Sequence, residues 1–179
     1  MKRLIMCEGP NELAIMRILI AQDKLVFGED ELIGLTPFHA RQIKTNAQVR
    51  TELNMYPGND VIVMRIGDVQ NEKLTIPADY KEKISCVEKY CTKPELEMLL
   101  IISEGLVSEF EKMKSSVSPK EFARQHVRYG RKRYDNSTGF FKDYYENRAD
   151  LLVAAIREYK RIKGAHKKDE LYLADLLKD

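Results

Sequence analysis

The sequence predicts an α/β fold: a mostly parallel sheet with helices on both faces, followed by a helical C-terminal extension. Two apolar runs, "RLIMCE" and "VIVMRIGD", each end in an acidic residue and are separated by helical stretches. Such alternation of strand and helix requires crossover connections and covers both faces of a sheet. From Ser118 onward the pattern becomes polar and helical, interleaving Arg and Lys with aromatic residues. The expected division is an α/β region over 1–116 and a basic helical portion over 117–179, packed on it.

Residues 3–7 read as a buried strand. Gly9 and Pro10 then turn the chain into a helix, "NELAIMRILIAQ", with proline suited to the first helical position. "ELIGLTPF", Glu31 to Phe38, predicts a second short strand. Residues 40–54 predict a more polar helix, and "YPGND" a turn. Val61 to Asp68 is the clearest strand. A shorter one is expected around Ile84–Cys91. "PELEMLLIISEGLVSEFEKM" predicts one strongly apolar helix opened by proline. Further on, 118–162 and "KDELYLADLL" read as helical, with Asn136 to Gly139 as a loop or cap.

Composition narrows the functional classes. A hydrophobic content of 44% supports a real core, and 32% charged residues point to a solvated surface rather than disorder. No apolar run approaches the ~20 residues of a membrane helix. The opening "MKRLIMCEGPNE" lacks the form of a signal peptide. Cys7, Cys86 and Cys91 have no metal-site spacing and read as buried free thiols in a cytoplasmic protein. His39, His126 and His166 lie far apart, and surface or capping roles are expected of them. "EGPNE" lacks the lysine and glycines of a P-loop.

Charge is divided along the chain. Residues 120–168 hold 14 Lys and Arg against 6 Asp and Glu, a balance of +8, and the remainder is acidic. An acidic front joined to a basic back suits metal-dependent chemistry on a polyanion. In parallel sheets the working residues gather at the carboxyl ends of the strands. Glu8 follows the first strand, Glu12 lies in the next helical turn, and Asp68 follows the third. Carboxylates crowded in one crevice repel each other, and a divalent cation relieves the conflict. Each also has a plainer reading: Glu8 solvated in a turn, Glu12 on the helix dipole, Asp68 as a turn cap beside Gly67. Arg128, Arg131, Lys132 and Arg133 are suited to phosphate contacts, with Tyr129 or Tyr134 stacking on bases. Phe140, Phe141, Tyr144 and Tyr145 are expected to pack. A lysine of this segment, Lys142 for example, would stabilise developing phosphate charge.

"LIMCEGPNELAIMRIL" resembles the first motif of TOPRIM domains, in which a strand delivers Glu-Gly and a helix follows. The second Glu, four residues on, resembles the version in OLD-family nucleases and small RloB-like proteins. "VIVMRIGDVQ" looks like the second TOPRIM motif, a strand ending in Asp-x-Asp, and "CTKPELEMLLII" resembles a later segment of single-domain members. The resemblance spans roughly residues 3–113. It implies metal ligation or general-base work for Glu8, metal ligation for Glu12 and Asp68, and a supporting site role for Glu97. A surface position near a helix start is the plainer reading of Glu97. It also implies Mg²⁺ or Mn²⁺ as cofactor, DNA or RNA as substrate, and a place in phage defence or DNA processing beside a separate ATPase. Gln70 stands where the second acid of Asp-x-Asp would fall, which implies weaker metal binding and one ion in place of two.

Three readings follow. One is a Mg²⁺-dependent nuclease. The second is a catalytically silent nucleic-acid-binding or regulatory subunit of the same fold. The third is a receiver-like domain with Asp68 as phosphoacceptor, disfavoured because Glu8 is followed by glycine rather than by another acid.

Overall fold

The computed structural model describes residues 1–68, 72–92, 95–162 and 169–179. Gln70, Pro94 and His166, singled out above, lie outside these residues.

Five strands form one parallel sheet: β1 (Lys2–Cys7), β2 (Phe38–His39), β3 (Val61–Gly67), β4 (Ile84–Cys91) and β7 (Leu171–Tyr172), in the order β2-β1-β3-β4-β7. The near-continuous apolar content of β1 and β3 is what burial on both faces demands. Side chains alternate between two cores. Ile5, Cys7, Met64 and Ile66 face one, and Leu4, Met6, Val61 and Val63 face the other.

Helices cover both faces. The larger core takes α1 (Pro10–Ala21), α3 (Met98–Ser103), α5 (Pro119–His126), α6 (Thr138–Tyr145) and α7 (Ala149–Ile162). The smaller takes α2 (Ala47–Met55), through Val49 and Leu53. Local chemistry sets where the helices begin. Pro10 occupies the first turn of α1 after an extended Gly9. Asn46 caps α2, its Oδ1 accepting from the Val49 N–H at 2.9 Å. Ser118 and Glu121 form a reciprocal capping box on α5. On α7, Ala149, Leu152, Ala155, Ile156 and Tyr159 recur at helical spacing on the buried face.

The structure departs from expectation in several places. The segment expected as a strand over 31–38 is mostly two 3₁₀ turns, Glu29–Glu31 and Ile33–Leu35, with only its end in β2. Gly34 and Leu35 take positive φ of 68° and 55°, which no strand tolerates. Residues 40–46 are irregular, so α2 starts late. The single helix expected after Pro94 is two, α3 and α4 (Val107–Met113), broken where Gly105 adopts φ +70°. A two-stranded hairpin, β5 (Arg128–Tyr129) and β6 (Lys132–Arg133), interrupts the helical C-terminal portion. "ELYLADLL" forms β7 and a 3₁₀ turn, Leu173–Leu176, rather than a helix. Cys7 and Cys91 are buried free thiols as expected, but Cys86 is exposed because β4 presents it outward.

Leu152 is fully buried, whereas Val26 is 56% exposed. Leu152→Ala should cost about 2–5 kcal/mol in urea denaturation, and Val26→Ala less than about 0.5 kcal/mol.

Candidate functional site at the carboxyl edge of the sheet

β1 and β3 are direct parallel neighbours, with Cys7 opposite Ile66. Their carboxyl ends therefore open side by side, and the Glu8 N–H still donates to the Ile66 carbonyl at 2.9 Å. Glu8 is buried. Its carboxylate folds over Gly67, where a Cβ would lie 2.2 Å from Oε2. Glycine here is what lets the acid of one strand lie across the end of the next.

Glu12 sits in the first turn of α1 and reaches back over Gly9, whose absent Cβ would lie 2.5 Å from its Oε2. Burial pushes the Glu12 carboxyl up to about 7, and the negative charges of Asp68, Glu8 and Glu97 add to the rise against a backbone hydrogen bond. The other three acids singled out in the sequence are thus within electrostatic reach of Glu12. A fifth joins them. Glu95 is raised by burial and by Glu97 and Asp68, although it accepts the Lys120 N–H at 2.7 Å.

Glu97 is buried rather than on the surface, immediately before α3. The Tyr134 hydroxyl donates to its Oε1 at 2.6 Å. Tyr134 is itself buried, so it is not a base-stacking residue; its phenol is committed to Glu97. This bond links the basic hairpin, which ends one residue earlier, to the acidic edge.

Arg65 was not anticipated. It lies within β3, fully buried, with a terminal nitrogen 3.6 Å from Glu8 Oε1 and NH1 donating to the Glu72 carbonyl at 2.7 Å. A lone arginine amid "VIVMRIG" was the signal: a guanidinium is buried only beside acceptors or a counter-charge. The loops after β2 and β3 are stapled by one side chain. Gln42 donates to Glu72 Oε1 (2.9 Å) and the Lys73 carbonyl (3.1 Å), and accepts the Thr75 N–H (3.0 Å). His39, exposed as expected, and Arg41, not anticipated, flank the Glu8 carbonyl oxygen, with Nε2 at 3.3 Å and Nε at 3.4 Å.

The basic residues behave differently from one another. Arg128 and Arg131 are exposed on the hairpin, where Gly130 takes φ +59° in the turn. Lys132 pairs with Asp143 at 2.6 Å, and Arg133 donates to the carbonyls of Arg124 and Gln125. Tyr129 is partly exposed, with the Arg148 guanidinium over its ring. Phe140, Phe141, Tyr144 and Tyr145 are buried as expected. Lys142 lies in a groove between α1 and α6 with Pro10, Leu13 and Arg17, 3.9 Å from Glu146. The structure does not bring it into contact with the acids.

The donor chemistry of the edge is that of hard carboxylate oxygens. Among the described residues, however, no three His, Cys, Asp or Glu side chains lie close enough to share one ion. Mg²⁺ typically uses one or two carboxylates and retains water, so the charge excess suits such an ion better than a fully protein-ligated one. Comparisons of the chain with protein-family models, with curated proteins and with solved structures found no match in any of the three. What the coordinates define is a class: a parallel α/β protein with an acidic site at the carboxyl edge of its sheet. Among the described residues no helix is long and apolar enough to cross a membrane.

Two outcomes follow. Gly67→Ala drives a methyl into the Glu8 carboxylate and should destabilise the chain by about 1–3 kcal/mol in chemical denaturation. Glu12, raised to about 7 from 4.5, holds a proton in the folded chain that the unfolded chain has released. In EDTA, stability should therefore fall as pH rises from 4.5 through 7, by up to about 3 kcal/mol, and Glu12→Gln should flatten that slope.

Proposed function

We propose that the chain is a divalent-metal-dependent phosphodiesterase acting on DNA or RNA. The observation carrying this reading is the gathering of Glu8, Asp68 and Glu97 around Glu12 at neighbouring strand ends, where burial first and then their negative charges raise the Glu12 carboxyl. Crowding of this kind is unfavourable unless a cation shares the site. The residues that would hold Mg²⁺ or Mn²⁺ are Glu12 and Asp68, with Glu8 beside them. When bound, the ion would polarise a phosphoryl oxygen.

The chain's own residues have separable tasks. Arg65 holds the Glu8 carboxylate over Gly67. Glu8 is then fixed where a carboxylate takes a proton from an attacking water. Tyr134 fixes Glu97. Arg128 and Arg131, exposed on the hairpin, supply phosphate contacts to a polyanion. The motifs at Glu8–Glu12 and at Asp68 support a TOPRIM-type assignment, and with it a role in DNA processing or phage defence beside a separate ATPase.

One observation favours a second reading. Arg65 already supplies Glu8 with a positive partner, and the described side chains do not close a three-ligand shell. A catalytically silent subunit, binding nucleic acid through the hairpin, fits those facts. The two separate by experiment. The nuclease reading expects Mg²⁺- or Mn²⁺-dependent nicking of plasmid DNA or cleavage of RNA, lost by ~100-fold or more in Glu8→Ala. Binding without cleavage in either metal, with Glu8→Ala unchanged, selects the silent subunit.

A further inference from the structure

The loop leaving β2 presents a pair of side chains that the acidic motifs do not include. β2 is the parallel neighbour of β1 on the side away from β3, with His39 opposite Cys7. Its exit therefore stands beside Glu8, and the Ala40 N–H donates to the Cys7 carbonyl at 3.0 Å. His39 Nε2 and Arg41 Nε both approach the Glu8 carbonyl oxygen, at 3.3 and 3.4 Å. Against that acceptor His39 carries its proton on Nε2, which leaves Nδ1 turned to the other side of the ring.

Both side chains are exposed. Arg41 uses Nε alone, so its two terminal nitrogens keep their donors, the fork that matches phosphate oxygens. Among the described residues it makes no ion pair, although it stands at an edge crowded with carboxylates. Arg65, by contrast, is buried against Glu8, with NH1 donating to the Glu72 carbonyl. The loop is also held. Gln42 ties it to the Glu72–Thr75 segment with three hydrogen bonds, and the Asn46 amide donates to the His39 carbonyl at 3.1 Å. A guanidinium fixed at its Nε beside an acidic site, with its outer donors open, is an arrangement for an anion that bridges the two.

We propose that Arg41, with His39 beside it, is the phosphate-binding wall of the carboxyl-edge site and takes the non-bridging oxygens of a phosphodiester. This rests on the reading of that edge as a phosphodiester site and assigns the residues that position the substrate's phosphate there. The loop after β2 then determines where along a strand the scissile phosphate sits, while the hairpin contacts phosphates farther along the chain.

The test uses the full chain, with inorganic phosphate and a fluorescein-labelled single-stranded DNA 12-mer as probes, in EDTA and in Ca²⁺. Fluorescence anisotropy gives 12-mer affinity for the wild type, Arg41→Gln, Arg41→Lys and Arg50→Gln, the last a charge-matched change on the exposed surface of α2. Arg41→Gln should weaken the 12-mer about tenfold, Arg50→Gln less than about twofold, and Arg41→Lys should fall between. In NMR spectra the His39 imidazole signals should shift with the 12-mer. A shift with inorganic phosphate as well would indicate that the isolated anion suffices; a shift with the 12-mer alone would assign the site to the diester. Equal effects of Arg41→Gln and Arg50→Gln, unmoved His39 signals at saturating 12-mer, or no binding in either buffer would overturn the inference. Binding through Arg41 without any cleavage in Mg²⁺ retains the wall and removes the nuclease reading. Cleavage in Mg²⁺ that Arg41→Gln leaves intact removes the wall and retains the nuclease.

Discussion

The whole carboxyl edge depends on the parallel pairing of β1 with β3. That register sets Glu8 opposite Gly67, and the missing side chain of Gly67 gives the Glu8 carboxylate its bed. Move either strand by one residue and Glu8 turns to the other face of the sheet, away from Arg65. Every other part of the site is arranged around this contact. Glu12 follows from the tight turn through Gly9, Arg65 from the second face of β3, and the His39–Arg41 pair from the short strand on the far side of β1.

The edge combines two solutions to one electrostatic problem. Glu8 has an internal counter-charge in Arg65, built into the same sheet. Among the described residues Glu12 makes no ion pair, and it remains raised by burial and by its acidic neighbours. A buried ion pair is weak evidence for stability, because desolvation offsets much of the Coulomb attraction. Its better-supported role is to fix a carboxylate in one orientation. Under the proposed metal-dependent reading, this unequal treatment of the two acids would put the cation on the Glu12 side of the edge.

The sequence carried much of this arrangement, and its failures have physical causes. The acids after the first and third strands were legible because a charge closing an apolar strand is conspicuous, and their neighbourhood followed from strand–helix alternation. Arg65 was equally visible as a charge inside an apolar strand, but nothing local indicated its partner. His39 and Arg41 were not legible, since their strand is two residues long and its pairing with β1 is a long-range event. Tyr129 or Tyr134 read as a base-stacking residue because both adjoin basic residues. Tyr134 is instead buried against Phe140 and Phe141 with its hydroxyl on Glu97, 37 positions earlier, a pairing that no local pattern encodes. The break between α3 and α4 was encoded by Gly105 and was hidden by the apolar spacing that continues through it.

Both outermost strands of the sheet, β2 and β7, are only two residues long, whereas the three between them run to six, seven and eight. β2 pairs only with Met6 and Cys7 of β1, and β7 only with Tyr90 and Cys91 of β4, so the sheet is five strands wide at its carboxyl end and three strands wide over the rest of its length. Its width is thus concentrated at the acidic end, where the two short strands bring His39 alongside Cys7 and Tyr172 alongside Cys91.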